Sequence, residues 1–223
     1  MPLDTEAAVA FLAELAASGP VLELAIGTGR IALPLAERGI DVHGIDASEK
    51  MVARLRSKPG GDGIPVTIGD FADVAVEGQF TLIYVVFNTL FGLPTQEAQI
   101  RCFGNVAAHL AHGGVFVVEA FVPDLSRFDR DQRVEAERVG LNGVWLTVSR
   151  HFPTEQRIES QNVRLDAEGV RLYPVQIRYA YPSELDLMAR VAGLRLRGRF
   201  YGWKREPVTA GTNACVSVYG RAV

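Results

Sequence analysis

The chain has 223 residues, 48% of them hydrophobic, and a formal net charge of −3. This length and composition suit one large α/β domain with a full hydrophobic core. The acidic balance argues against a nucleic-acid partner, which usually requires a basic surface, and no apolar run reaches the roughly 18–20 residues of a membrane span. Because Asp4 and Glu6 stand where a signal peptide carries positive charge, we expect a cytoplasmic protein.

The first half of the chain alternates helices with short apolar strands. Apolar periodicity and capping residues predict helices at 3–18, 29–38 and 95–111, and another after Ser48. Short apolar runs predict strands at 21–26, 41–46, 65–68, 80–86 and 115–122. This alternation indicates a parallel sheet with right-handed crossovers, so the carboxyl ends of the strands should share one edge.

The pattern changes in the second half of the chain. Three strands without intervening helices are predicted at 144–149, 157–165 and 170–181, and a hairpin turn joins the last two. We interpret 135–181 as an antiparallel insert within a single domain, 1–223. The remaining predicted elements are a helix at 182–192 and two strands, at 194–203 and 213–219.

A glycine turn, Gly27-Thr28-Gly29, follows the first strand. This layout suits an adenosine-containing cofactor and is shared by two of them, S-adenosylmethionine and a nicotinamide dinucleotide. Glu23, four residues before the turn, favours the first, because a carboxylate is unfavourable near a pyrophosphate and favourable near a sulfonium and an ammonium group. The alternatives are a packing turn without a ligand and a strand carboxylate satisfied by backbone donors.

Two further carboxylates follow the next two strands. Asp46 ends the second strand, where it can accept hydrogen bonds from both ribose hydroxyls. Asp70 follows the third strand and can accept from an adenine amino group, while Phe71 covers the ring. The alternatives are a helix cap before Ser48, a turn aspartate and a core aromatic.

In these residues the chain resembles the class I S-adenosylmethionine-dependent methyltransferases. Glu23 to Gly29 matches the family's first motif, and Asp46 and Asp70 match its second- and third-strand acids. The resemblance implies a Rossmann-like seven-stranded, mostly parallel sheet with helices on both faces, an antiparallel last strand, and an antiparallel β insert after the fifth strand. The insert is loosely similar to that of glycine and aminosugar N-methyltransferases.

The sequence departs from the family pattern in two places. Ala25 replaces the first glycine of the motif, which leaves less room for the backbone beside the methionine moiety. One predicted helix precedes the first strand, where related enzymes often carry a further segment that closes over the cofactor. We therefore expect a looser closure, or one supplied by the insert.

Pattern and resemblance together predict the site residues. Cofactor-binding residues are expected at the ends of the first four strands: Glu23, Ala25, Gly27, Thr28, Gly29, Asp46, Ala47, Met51, Gly69, Asp70, Phe71, Val86 and Phe87. Acceptor-binding residues are expected above the fourth and fifth strands and in the second half: Asn88, Thr89, Phe91, Glu119, Tyr179, Tyr201 and Trp203.

Two residues are candidates for a part in the chemistry. Asn88 can orient an acceptor hydroxyl or amine, with a helix cap as the alternative. His151 can act as a base for an acidic hydroxyl, with an exposed strand histidine as the alternative. The sequence shows no metal-ligand spacing.

The resemblance implies methyl transfer from S-adenosylmethionine to a small molecule, on nitrogen or oxygen rather than carbon. The protein would act mainly by aligning the reactants and excluding water. The alternative hypotheses are an NAD(P)-dependent oxidoreductase and a non-catalytic cofactor-binding module. Free edges of the antiparallel insert also suggest a homodimer.

Overall fold

The computed structural model describes residues 4–73 and 76–221. The helices are α1 (Thr5–Ala16), α2 (Ala32–Ala36), α3 (Glu49–Arg56), α4 (Gln96–His109) and α5 (Pro182–Val191). The strands are β1 (Val21–Leu24), β2 (Val42–Asp46), β3 (Val66–Ile68), β4 (Phe80–Val85), β5 (Leu110–Phe121), β6 (Gln132–Gly140), β7 (Gly143–Phe152), β8 (Arg157–Asp166), β9 (Gly169–Arg178), β10 (Leu194–Phe200) and β11 (Ala214–Arg221). No described helix is both long enough and apolar enough to cross a membrane.

The main sheet has seven strands in the order β10-β11-β5-β4-β1-β2-β3. The five strands from β1 to β5 run parallel, and β11 is antiparallel to both of its neighbours, β5 and β10. The predicted fold class is confirmed. As expected for such a sheet, the carboxyl ends of β1 to β5 lie along one edge, where open α/β sheets bind ligands.

Alternate residues of the central strands enter two hydrophobic layers, one on each face of the sheet. On β4, Ile83 and Val85 pack with residues of α4 and α5, whereas Leu82 and Tyr84 pack with residues of α1 and α2. This alternation follows from the two-residue period of a strand. The sheet is therefore buried on both faces, and its edge remains as the place for a site.

The insert is a four-stranded antiparallel sheet in the order β6-β7-β8-β9. Three of its strands were predicted, and β6 was missed because its sequence is charged and most of its residues are exposed. The predicted hairpin between β8 and β9 is confirmed, with Asp166 paired to Gly169. The prediction of one domain with an insert at 135–181 remains a prediction, and the observed strands run from Gln132 to Arg178.

Several predicted boundaries were wrong. The second helix begins at Ala32 rather than 29, because Gly27 and Gly29 adopt left-handed conformations, with φ of 57° and 75°. Likewise, β5 begins at Leu110, directly after α4, and β10 ends at Phe200. The first helix starts at Thr5, and residue 3, its predicted start, lies outside the described residues.

A buried polar cluster joins the insert to the main sheet. Arg178, the last residue of β9, donates to the Gln99 side chain of α4 at 2.7 Å and to the Glu184 carboxylate of α5 at 2.7 Å. In return, the Gln99 amide donates to the backbone carbonyl of Arg178 at 2.8 Å. These contacts fix the base of the insert against two helices of the core.

Candidate active site

The glycine turn between β1 and α2 has a tight side and an open side. A side chain at Gly29 would place its Cβ 2.3 Å from the Leu55 Cδ1 atom, so position 29 requires glycine for packing. The nearest atom to such a Cβ at Gly27 is the Met51 methyl group at 3.6 Å, so room remains there for a ligand. Ala25 has a left-handed φ of 56°, which costs a non-glycine residue roughly 1–2 kcal/mol.

Glu23 lies inside the protein rather than on the edge of the sheet. Its side chain faces the layer formed by α1 and α2, and its Oε2 atom accepts a hydrogen bond from the Tyr84 hydroxyl at 2.9 Å. Burial raises the pKa of the Glu23 carboxyl to about 8, although Tyr84 and the Ala32 backbone N–H oppose this shift. The carboxyl is therefore largely protonated at neutral pH, and its role beside the cofactor remains a prediction.

Asp46 ties the end of β2 to the glycine turn. Its Oδ2 atom accepts from the backbone N–H of Gly27 at 2.7 Å, and its Oδ1 atom accepts from Ser48 at 2.8 Å. The side chain that caps α3 is that of Ser48, which accepts from Met51, so Asp46 is not the helix cap. Because a carboxylate has about four acceptor positions, Asp46 can still receive two hydroxyl groups.

The neighbouring surface has the composition that an adenosine group requires. Asp70 uses one oxygen to accept from the Ala72 backbone N–H at 2.8 Å, so acceptor positions remain on its carboxylate. Met51 and Ile68 are 42% and 46% exposed, unusually high for apolar side chains beside two carboxylates. These residues fit a ligand with ribose hydroxyls, an amino group and an apolar ring.

The chain makes a strained turn at the end of β4. Phe87 and Asn88 both adopt left-handed conformations, with φ of 60° and 61°. The backbone N–H of Phe87 donates to Glu119 at 2.8 Å, and the guanidinium carbon of Arg30 lies 3.3 Å from the centroid of the Phe87 ring. The Asn88 Oδ1 atom accepts from the Phe121 backbone at 2.7 Å and makes no capping bond within the described chain.

Beyond this turn lies a cavity of about 620 Å³. The edge of the main sheet and its loops contribute Phe87, Asn88, Glu119, Phe121 and Trp203, and the insert contributes Arg133, Thr147, Ser149, Ile158 and Ser160. The Trp203 indole donates to the Glu119 carboxylate at 3.0 Å. Glu119 therefore holds two walls of the cavity together, at Phe87 and at Trp203.

Comparison with known proteins identifies the family. A methyltransferase domain model matches residues 21–114. The structure of the CcbJ methyltransferase from Streptomyces caelestis is 39% identical, with a TM-score of 0.94 over all of this chain and 91% of that one. The chain belongs to the class I S-adenosylmethionine-dependent methyltransferases. Its cofactor is S-adenosylmethionine, which decides against the dinucleotide and the non-catalytic alternatives.

Two other relatives extend the comparison. The cypemycin N-terminal methyltransferase of a Streptomyces species is 29% identical over 202 residues, which cover 90% of this chain and 82% of that protein. The sugar N-methyltransferase KedS8 from Streptoalloteichus sp ATCC 53650 is 19% identical, with a TM-score of 0.70 over 98% of this chain and 89% of that one. At this identity the second relative shows only that the fold is shared.

Some predicted acceptor residues of the methyltransferase lie outside the cavity. His151 is 5% exposed, so the interpretation of an exposed strand histidine was wrong. Its Nε2 atom lies 2.9 Å from the hydroxyl of Tyr179, which is itself buried, and its ring packs at 5.0 Å against Phe128 of the cavity wall. Phe91 is fully buried and packs edge-on against Phe121 at 5.0 Å.

The sequence missed the insert residues that line the cavity. Ser149 and Ser160 face each other on neighbouring strands, with their hydroxyl oxygens 2.8 Å apart, and Thr147 lies one row farther along the same face. Their alternation along β7 and β8 was the available signal. It did not reveal which face turns toward the site, because that depends on how the insert sits on the core.

Proposed function

We propose that this methyltransferase transfers the methyl group of S-adenosylmethionine to an amine nitrogen of a small molecule by in-line displacement. The turn at Phe87 and Asn88 carries this proposal. Phe87 contacts Arg30 of the glycine turn, and Asn88 lines the cavity beyond it. One strand end therefore adjoins both the predicted cofactor site and the cavity, as transfer between two bound molecules requires.

The cofactor would be held by residues at the ends of β1 to β3. Asp46 would receive the ribose hydroxyls, Asp70 the adenine amino group, and Met51 would cover the adenine ring. The sulfonium of S-adenosylmethionine supplies a methyl group that is already activated toward nucleophiles. The remaining tasks of the protein are to orient the acceptor and to keep water away.

The cavity can bind an amine in its reactive form. An amine attacks through its lone pair and must therefore be uncharged, and the rings of Phe87, Phe121 and Phe128 disfavour an ammonium ion by desolvation. Asn88, whose carbonyl oxygen is held by Phe121, can direct its amide group to a polar part of the acceptor. On this mechanism no general base is required, and the role of His151 as a base remains a prediction.

The acceptor class also draws on a relative. The cypemycin enzyme acts, by its name, on an N-terminus, which is an amine. We extend to this chain the amine and not the particular molecule. A small-molecule acceptor, rather than a nucleic acid or a membrane, belongs to the same proposal, as does a cytoplasmic location. The homodimer remains a prediction.

The test is transfer from S-adenosylmethionine labelled with deuterium in its methyl group. Matched amines, phenols and carboxylic acids are offered, and fragmentation of the products shows which atom carries the label. We expect label on nitrogen in the amines and little transfer to the other two classes. Preferential labelling of oxygen or carbon would overturn the proposal for the acceptor, while leaving the family assignment in place.

A further inference from the structure

The inner face of the insert continues well beyond the cavity. Thr147 lines both the cavity and a second hollow of about 390 Å³, farther out on the same sheet. In the sheet register Thr147 lies opposite Asn162, and Asn162 lies opposite Tyr173. Because side chains alternate between faces, Trp145 points to the same side as Thr147. The two hollows are therefore parts of one surface.

Two large aromatic rings form the outer end of this surface. Trp145 and Tyr173 lean toward each other across β8, with parallel ring planes 1° apart in angle and centroids 6.4 Å apart. They are 40% and 42% exposed, although aromatic side chains of this size are usually well buried. The nearby Arg164 is paired with Asp166 at 2.5 Å, so the rings form an apolar platform whose adjacent cation is neutralised.

Between the cavity and the platform lie polar side chains that are already bonded to one another. The Thr147 hydroxyl is 2.9 Å from the Asn162 amide oxygen and 3.0 Å from the Glu137 carboxylate. Such a strip adds little hydrophobic affinity, but it keeps the path open and wettable. A molecule that crosses it would gain most of its contact area at the two aromatic rings.

We propose that the Trp145–Tyr173 platform binds an apolar ring at the far end of an elongated acceptor, whose amine lies in the cavity. This inference rests on the proposed amine methylation. The rows of Ser149 and Trp145 are four residues apart, or about 13 Å at the rise of a strand. A compact acceptor cannot reach both places, so the platform selects for long molecules.

The test uses primary amines that carry a phenyl group on a short or a long alkyl chain, the long one spanning about 13 Å. We expect the long amine to have the lower KM. Trp145→Ala should raise its KM about tenfold, with little change in kcat and none in the KM of the short amine. Trp145→Phe keeps a ring and should restore most of the loss. Leu172→Ala, beside Tyr173 on the opposite face, is the matched control.

Three other outcomes separate the explanations. An unchanged KM for the long amine in Trp145→Ala, or an equal change for both amines, overturns the platform. Loss of a dimer in light scattering, with KM unchanged, assigns the platform to contact between two copies and also overturns it. If neither amine is methylated, the proposed function fails for them. Calorimetric binding of the long amine to the S-adenosylhomocysteine complex, weakened by Trp145→Ala, then still supports the platform.

Discussion

The cofactor end and the acceptor end of this methyltransferase are built in different ways. At the cofactor end, carboxylates and glycines follow strands β1 to β3 directly, and Asp46 ties two of these segments together through the backbone of Gly27. At the acceptor end, Ser149 and Ser160 come from a separate sheet and reach the cavity because of how that sheet is placed. The first end depends on local sequence, and the second depends on tertiary packing.

The largest expected effect concerns the joint between these ends. Arg178→Ala should lower the free energy of unfolding by about 3–5 kcal/mol, because it leaves the Glu184 carboxylate partly buried without its cation. Arg101→Ala is the control, since it breaks an exposed pair with Asp73 and should cost about 1 kcal/mol or less. Urea unfolding measures both, and equal losses would show that the cluster does not hold the insert.

The next effect is a pH dependence at the cofactor end. The pKa of Glu23 is raised to about 8 by burial, so the folded state holds a proton that the unfolded state releases near its usual pKa of 4.5. The free energy of unfolding should therefore fall by a few kcal/mol as the pH rises from about 4.5 to about 8. Glu23→Gln should remove this part of the slope, and a slope that persists in the variant would contradict the assignment.

Binding of S-adenosylhomocysteine tests the ribose contact. Asp46→Ala should weaken it by about 1.5–3 kcal/mol, since charge-assisted hydrogen bonds are lost. Asp41→Ala changes an exposed carboxylate just before the same strand and should leave the affinity unchanged. Calorimetric titration of both variants gives the comparison, and an unaltered affinity in Asp46→Ala would show that this carboxylate does not hold the cofactor.

The smallest expected effect is at Ala25. Ala25→Gly relieves a left-handed residue but loosens the unfolded chain, so these opposing terms should leave a net stabilisation of up to about 1 kcal/mol. Gly29→Ala, in the same turn, should instead destabilise the protein, because its Cβ would clash with Leu55. Thermal unfolding of the pair checks the sign of each change, and destabilisation by Ala25→Gly would contradict the account of strain.

The ends also differ in what the sequence could predict. Glu23, Asp46 and Asp70 stand at fixed places relative to predicted strands, so the sheet order and the cofactor followed from local pattern and family resemblance. The structure added that Glu23 is buried against Tyr84, a contact between strands that are 61 residues apart.

The acceptor end was largely beyond the sequence. The strand β6 was missed because its charged, exposed residues lack an apolar period. His151 was interpreted as exposed because its burial comes from Phe128 and Tyr179, which lie in other segments. Each of these features depends on contacts between distant residues, which no local pattern records.

The separation of the two ends is tested most directly by filling the cavity. Ser149 is small and points into it, whereas Val148 points to the opposite face and is 40% exposed. Methyl transfer to the best amine and calorimetric affinity for S-adenosylhomocysteine are measured for Ser149→Phe and Val148→Phe. The account predicts that Ser149→Phe abolishes transfer and leaves this affinity unchanged, while Val148→Phe alters neither. Full transfer by Ser149→Phe would contradict the account.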